Sequence, residues 1–90
     1  MRLKLRRHKQ FLKDLKKIRM SDAQFQKYVE YLSLLANDRA LPPEARDHDL
    51  QGGWKGFREF HVGGDLLVIY RKVGEEVVLV RIGSHGQLFE

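Results

Sequence analysis

Three histidines and an aspartate stand where proton transfer could be arranged. They are His48 in "RDHDL", His61 at the end of "REFHV", Asp65 just past the glycine pair that follows, and His85 in "RIGSHGQLFE". Imidazole gives or takes a proton near neutral pH. Two such groups flanking a phosphodiester suffice to cleave RNA. One removes the proton from a 2′-OH, which attacks the neighbouring phosphorus in line, and the other protonates the leaving 5′ oxygen. Arg or Lys offsets the charge that grows on the phosphoryl oxygens. Neither metal nor cofactor enters that scheme. Trp54, Phe57, Phe60 and Phe89 are candidate platforms for unstacked bases, although Trp54 and Phe57 also suit a core. Zinc is the competing chemistry for three histidines and an aspartate. The separations of 13 and 24 residues between successive histidines match no zinc motif, however, and the usual close-spaced pair on a helix is missing. A histidine at a strand end is commonly just a surface residue. The residues by themselves therefore reach a basic α+β domain, with a metal-free nuclease as one option.

These residues need a scaffold. "RLKLR" alternates, with Leu3 and Leu5 on one side, which is the period of a half-buried strand. From Lys9 the period turns helical, with Phe11, Leu12, Leu15 and Ile18 on one face and Lys9, Lys13, Lys16 and Lys17 on another. His8 reads as a solvated member of this basic arm. "SDAQ" at 21–24 is a capping box that starts a second helix, with Phe25, Tyr28, Val29, Leu32 and Leu35 as its apolar stripe. That helix stops near Asn37. Pro42, Pro43 and the glycine pair at 52–53 make the next stretch a loop. "WKGFREFHV", "LLVIYRKV" and "VVLVRIG" follow as a meander joined by glycine-containing turns. Arg81, Gly83 and His85 share parity on an extended last strand, so they should point to one face. Asp65 should neighbour His61 across a tight hairpin. The expectation is β-α-α-β-β-β in a single domain over residues 1–90: an antiparallel sheet that the first strand joins, covered on one face by the helical hairpin and partly open on the other.

Charge is uneven. The net value is +5, but residues 1–20 carry a balance of +8 and the remainder −3. Basicity gathered at one end suits a polyanion or an acidic protein partner. The lack of cysteine excludes a disulfide framework, a thiolate metal site and a cysteine nucleophile, and suits a reducing compartment. No apolar run approaches the ~20 residues of a membrane span, and the basic start lacks the features of a signal peptide. A cytoplasmic protein without membrane contact is expected.

The stretch from Leu41 to Phe89 resembles the YafQ branch of the RelE/ParE toxin superfamily. Four pieces carry the likeness: "DHDLQGGWKGFRE", "FHVGGDLL", "VIYRK" and the terminal "RIGSHGQLF". The preceding β-α-α segment matches more loosely. The resemblance implies a RelE-like, microbial-ribonuclease-like fold and a toxin of a type II toxin–antitoxin pair. Such a toxin enters the ribosomal A site and cuts mRNA, leaving a 2′,3′-cyclic phosphate and a 5′-hydroxyl. It implies active-site roles for His48, His61, Asp65, His85 and Phe89, and a supporting acidic role for Glu59, where a family member carries Asp. Leu66 stands where some members have an aromatic. His85 is then the general acid and His61, supported by Asp65, the base or the group that orients the 2′-OH, with the two labels exchangeable. His48 and Arg81 contact phosphate, joined by Lys55 and Arg58, and Phe89 holds a base. Lys9, Lys13, Lys16 and Lys17 face ribosomal RNA. The implied partners are ribosome, mRNA and an acidic antitoxin that folds on binding, with no cofactor or metal. A ParE-like toxin without nuclease activity and an RNA- or ribosome-binding module without turnover are the alternatives.

Overall fold

The order of elements in the computed structural model, which describes residues 2–89, is β1 (Lys4–Arg7), α1 (Lys9–Leu15), α2 (Asp22–Ala36), β2 (His48–Asp49), β3 (Arg58–Gly63), β4 (Leu66–Val73), β5 (Glu76–Ser84) and α3 (His85–Phe89). The expected β-α-α-β-β-β order is present with two additions, the two-residue strand β2 and the closing helix α3. All five strands form one sheet in the order β1-β5-β4-β3-β2. β3, β4 and β5 are the expected antiparallel meander, but β1 runs parallel to β5, so the sheet is mixed. Leu3, just ahead of β1, is buried, while Leu5 within this edge strand stays 42% exposed. The strand expected across "WKGFREFHV" begins only at Arg58. Gly56 takes φ 96° and closes a turn in which the Phe57 N–H donates to the Trp54 carbonyl. Among the described residues, no helix is long and apolar enough to cross a membrane.

Helices α1 and α2 begin on side-chain caps. His8, expected to stand free in the basic arm, is exposed but caps α1: its Nδ1 accepts from the Gln10 N–H. In α2 the Gln24 N–H donates to Ser21 Oγ and the Ser21 N–H donates to Gln24 Oε1, the reciprocal pair that "SDAQ" announces. The buried stripe of α2 is rotated from the expected one. Tyr31 and Leu35 are buried, whereas Phe25 and Val29 are 55% and 48% exposed. Gln24 holds this rotation, because its Nε2 donates to the Gly63 carbonyl and ties the start of α2 to the β3–β4 turn.

The sheet separates two apolar layers. On one face Phe60, Val62, Val68, Tyr70, Leu79 and Ile82 pack against Phe11, Tyr31 and Leu35 of the helical pair. Phe60, a candidate stacking platform from sequence, is fully buried here with its ring edge-on to Tyr31. On the other face Leu67, Ile69 and Leu88 form a smaller cluster, flanked by Leu50, Trp54, Phe57, Val80 and Phe89. The face expected to be open is thus partly roofed by α3 and by the turn at Gly52–Trp54.

One ion pair on a buried carboxylate closes the sheet edge. β1 pairs with β5 only as far as Leu79, and α1 takes over beyond it. Asp14 Oδ2 accepts from the Ile82 N–H at 3.1 Å and from Arg81 Nε at 2.7 Å, and Oδ1 accepts from Arg81 Nη2 at 3.1 Å. A single carboxylate thereby satisfies an orphan strand donor and joins α1 to β5. Arg81, expected at a phosphate, is therefore held by Asp14. The parity expected for Arg81, Gly83 and His85 holds for the first two, which pair with Ile69 and Leu67 of β4, but not for His85, because the strand ends at Ser84. A second capping box starts α3 there: the Gln87 N–H donates to Ser84 Oγ at 3.1 Å and the Ser84 N–H to Gln87 Oε1 at 2.9 Å.

Two outcomes follow from these contacts. Burial opposes charge on Asp14, but hydrogen bonds from Arg81, Gln10 and the Ile82 N–H outweigh it and hold the carboxyl below its ordinary 3.8. The unfolded chain then binds this proton more readily than the native one. The stabilisation is present above the unfolded value and is lost as pH falls through the lower native one. Asp14→Asn should cost roughly 2 kcal/mol near neutral pH. Its melting temperature should also fall less steeply than the parent's below pH ~4, and equal slopes would contradict the assignment. Gly83 is the seat of α3: a Cβ there would lie 2.9 Å from Gln87 Oε1 and 3.2 Å from Leu88 Cδ2. Gly83→Ala should push α3 off the sheet, lower stability by about 1–3 kcal/mol and shift the fluorescence of Trp54, whose ring lies 6.0 Å from that of Phe89. An unchanged melt and emission would mean that α3 has no such seat.

Candidate active site

A carboxylate inside the sheet gathers two of the histidines. Glu59 on β3 is only 5% exposed. β2, short as it is, pairs His48 directly with Glu59, so the two side chains project to the same face. His61 lies two residues along β3 and shares that face. Glu59 Oε2 sits 2.9 Å from His61 Nε2 and 3.5 Å from His48 Nε2. The two rings lie 6.4 Å apart and 20° from parallel.

The partners define the tautomers. His48 Nδ1 lies 2.6 Å from the Arg46 carbonyl, which can only accept, so Nδ1 carries a proton. His48 Nε2 then faces the Glu59 oxygen, and only the doubly protonated ring can donate across that gap. His61 Nδ1 lies 3.1 Å from Arg46 Nη2, which can only donate, so Nδ1 presents its lone pair and Nε2 donates to Glu59.

The loop that carries Arg46 and His48 is clamped from below. Arg58 donates to Asp47 Oδ1 at 3.1 Å and to Asp49 Oδ1 at 2.7 Å, while the Tyr70 hydroxyl donates to Asp47 Oδ1 at 2.7 Å. Burial and the Asp47 carboxylate push the Tyr70 hydroxyl well above the usual phenol range. Burial works against charge on Arg58, but its partners more than offset this and keep the guanidinium protonated. Arg58, expected as a phosphate contact, is thus the clamp of the "RDHD" loop. Lys55 is exposed in the turn after Trp54.

His85 comes to the same side by way of α3. His61 pairs with Leu67 on β4, and Leu67 pairs with Gly83 on β5, so His61 and Gly83 are two strand spacings apart, ~10 Å. His85 follows by two residues, exposed, with its ring 4.8 Å from that of Phe89. Phe89 in turn meets Trp54 edge-on, and Trp54 meets Phe57 at 5.4 Å. An aromatic row thus leads away from His85 along the second apolar layer.

Asp65 is placed elsewhere. It lines a shallow cleft with Lys17, Arg19, Gln24, Ser84 and Gln87. A bulge between His61 and Gly63, followed by positive φ at Gly63 and Gly64, carries Asp65 past the end of the ladder and out of cross-strand register with His61. The expected support of His61 by Asp65 is supplied by Glu59. Lys9, Lys13, Lys16 and Lys17 are all exposed along α1 and just beyond it. Arg46 escaped the sequence reading. It takes φ 49°, ψ 42°, a left-handed conformation that a non-glycine residue rarely adopts and that no motif announces. Among the described residues, no group of three or more His, Cys, Asp or Glu side chains is placed to hold a metal ion.

Relatives carry the same architecture. A family model described as "Bacterial toxin of type II toxin-antitoxin system, YafQ" matches residues 3–90. The mRNA interferase toxin YafQ of Escherichia coli strain K12 is 36% identical over 81 residues, which is 89% of this chain and 88% of that protein. A copper-bound mutant toxin from Helicobacter pylori superposes with a TM-score of 0.85 at 37% identity, over 97% of this chain and 99% of that one. A chain of the E. coli DinJ–YafQ complex superposes with a TM-score of 0.82 at 34% identity, over 98% and 99%. This chain belongs to the YafQ family of bacterial type II toxin–antitoxin toxins.

Proposed function

We propose that this toxin is a cytoplasmic mRNA endoribonuclease that works on the ribosome and cuts by attack of the substrate's own 2′-OH. The observation that carries the reading is the pairing of His48 and His61 on the buried carboxylate of Glu59, with His85 across the same sheet face. His61 takes the 2′-OH proton, and Glu59 stabilises the imidazolium that results. The 2′ oxygen forms its bond to phosphorus while the bond from phosphorus to the 5′ oxygen breaks. His85 gives that oxygen its proton, leaving a 2′,3′-cyclic phosphate and a 5′-hydroxyl. His48, when doubly protonated, turns its Nε2–H from Glu59 to a phosphoryl oxygen. Phe89 stacks against a base beside the cut, and Asp65 acts from the cleft at the end of the hairpin. No metal is needed, because the substrate supplies the nucleophile and the side chains move the protons. Lys9, Lys13, Lys16 and Lys17 face ribosomal RNA phosphates, a contact that weakens with salt. The mRNA interferase name of the E. coli relative supports the nuclease, and the DinJ–YafQ complex supports an antitoxin partner for this chain as well. An acidic segment that folds on binding fits the basic first 20 residues.

His85→Ala tests the chemistry with little disturbance of packing, since the residue is exposed. Single-turnover cleavage on programmed ribosomes should fall by about 10²–10⁴-fold. Ribosome binding and the thermal melt should match the parent. Cleavage at the parental rate would refute the acid role.

A further inference from the structure

We infer that Arg46 is a latch on His61, a positioning residue that selects its tautomer and covers the nitrogen that must take a proton. The inference rests on the nuclease reading above for its last step only. Arg46 reaches both histidines at once, its carbonyl accepting from His48 Nδ1 at 2.6 Å and its Nη2 donating to His61 Nδ1 at 3.1 Å. That double reach requires the left-handed backbone at φ 49°, a conformation that costs a non-glycine residue free energy and is held by the Asp47 clamp next to it. With Nε2–H committed to Glu59, Nδ1 is the one nitrogen of His61 able to accept a proton, and Arg46 covers it.

Arg46 is exposed, with its guanidinium on the His61 ring. Its bond to a neutral ring nitrogen is weaker than the bidentate, charge-assisted bonds it makes with phosphate. An RNA phosphate arriving at the rings draws Arg46 away and uncovers Nδ1. The 2′-OH proton passes to Nδ1, the 2′ oxygen bonds to phosphorus, the bond to the 5′ oxygen breaks, and that oxygen takes its proton from His85. The site is closed until a polyanion occupies it.

Arg46→Gly isolates the side chain, because glycine keeps the left-handed backbone and with it the carbonyl that holds His48. The test is long-range nitrogen–proton NMR of the histidine rings in the free protein, the Gly variant and Arg46→Lys. His61 should be the Nε2–H tautomer with a hydrogen-bonded Nδ1 in the parent, and the hydrogen-bonding shift at Nδ1 should vanish in Arg46→Gly. His48 should keep Nδ1–H in both, and Arg46→Lys should restore part of the signature. Saturating the parent with a short single-stranded DNA, which has the phosphates and lacks the 2′-OH, should move Nδ1 of His61 toward its value in Arg46→Gly. On programmed ribosomes kcat/KM should fall about 10- to 100-fold in Arg46→Gly and less in Arg46→Lys. An Nδ1 resonance that is the same with and without the guanidinium overturns the positioning role. One that saturating DNA leaves unmoved overturns the latch. A parent that leaves mRNA whole while the resonances behave as described refutes the nuclease and leaves the hold of Arg46 on His61 standing.

Discussion

Glu59 is a carboxylate placed where water barely reaches, and the surrounding structure answers that constraint. A buried charge is costly unless it is hydrogen-bonded and paired. Here His61 reaches it along the same strand and His48 from the neighbouring one. A two-residue strand would be marginal alone. β2 holds because Asp47 and Asp49 clasp Arg58, and Tyr70 supports Asp47 from the core side. The loop that carries His48 and the main core of the sheet are therefore linked through Arg58 and Tyr70. A change that loosens the clamp reaches the histidines without touching them.

The rest of the fold brings a third imidazole to that face. β5 runs second in the sheet order, between β1 and β4, so α3 leaves from a strand paired on both sides. Asp14 and Arg81 seal the edge that β1 leaves unpaired, and the Ser84–Gln87 box turns the chain into α3. Leu88 is buried, so His85 and Phe89 are fixed on a tail that would otherwise be disordered. The ion pair at Asp14 joins α1 to β5, and the pairing at Glu59 brings His48 and His61 together. The two carboxylates are the buried acidic residues among those described, and each answers a different need.

How much of this could be read from the chain depended on whether the signal was local. "SDAQ" announces its helix, and "SHGQ" has the same spacing at the start of α3, but there the signal sits directly on the end of an apolar strand and reads as a break. The glycine-rich turns marked the meander, but the bulge that moves Asp65 away from His61 has no sequence signature. Arg81 looked like a phosphate ligand until its partner emerged 67 residues away. Glu59 was found through resemblance alone, since alternation marks it only as facing away from Phe60. Arg46 was invisible because its role depends on a backbone angle that arginine does not favour. Element order, the α2 start and the meander turns are legible in local signals, whereas the rotation that buries Tyr31 and Leu35 of α2 in place of Phe25 and Val29 is set by packing. Roles set by long-range pairing, bulges and positive φ were not legible.

The central claim is that the charge of Glu59, and not its bulk, readies the histidines for proton transfer. Single-turnover cleavage by Glu59→Gln on programmed ribosomes tests this most directly, because glutamine keeps the shape and an acceptor for His61 while removing the charge. The account predicts a loss of about 10²-fold or more with an unchanged melting temperature. Cleavage at the parental rate from a folded Glu59→Gln protein would contradict it.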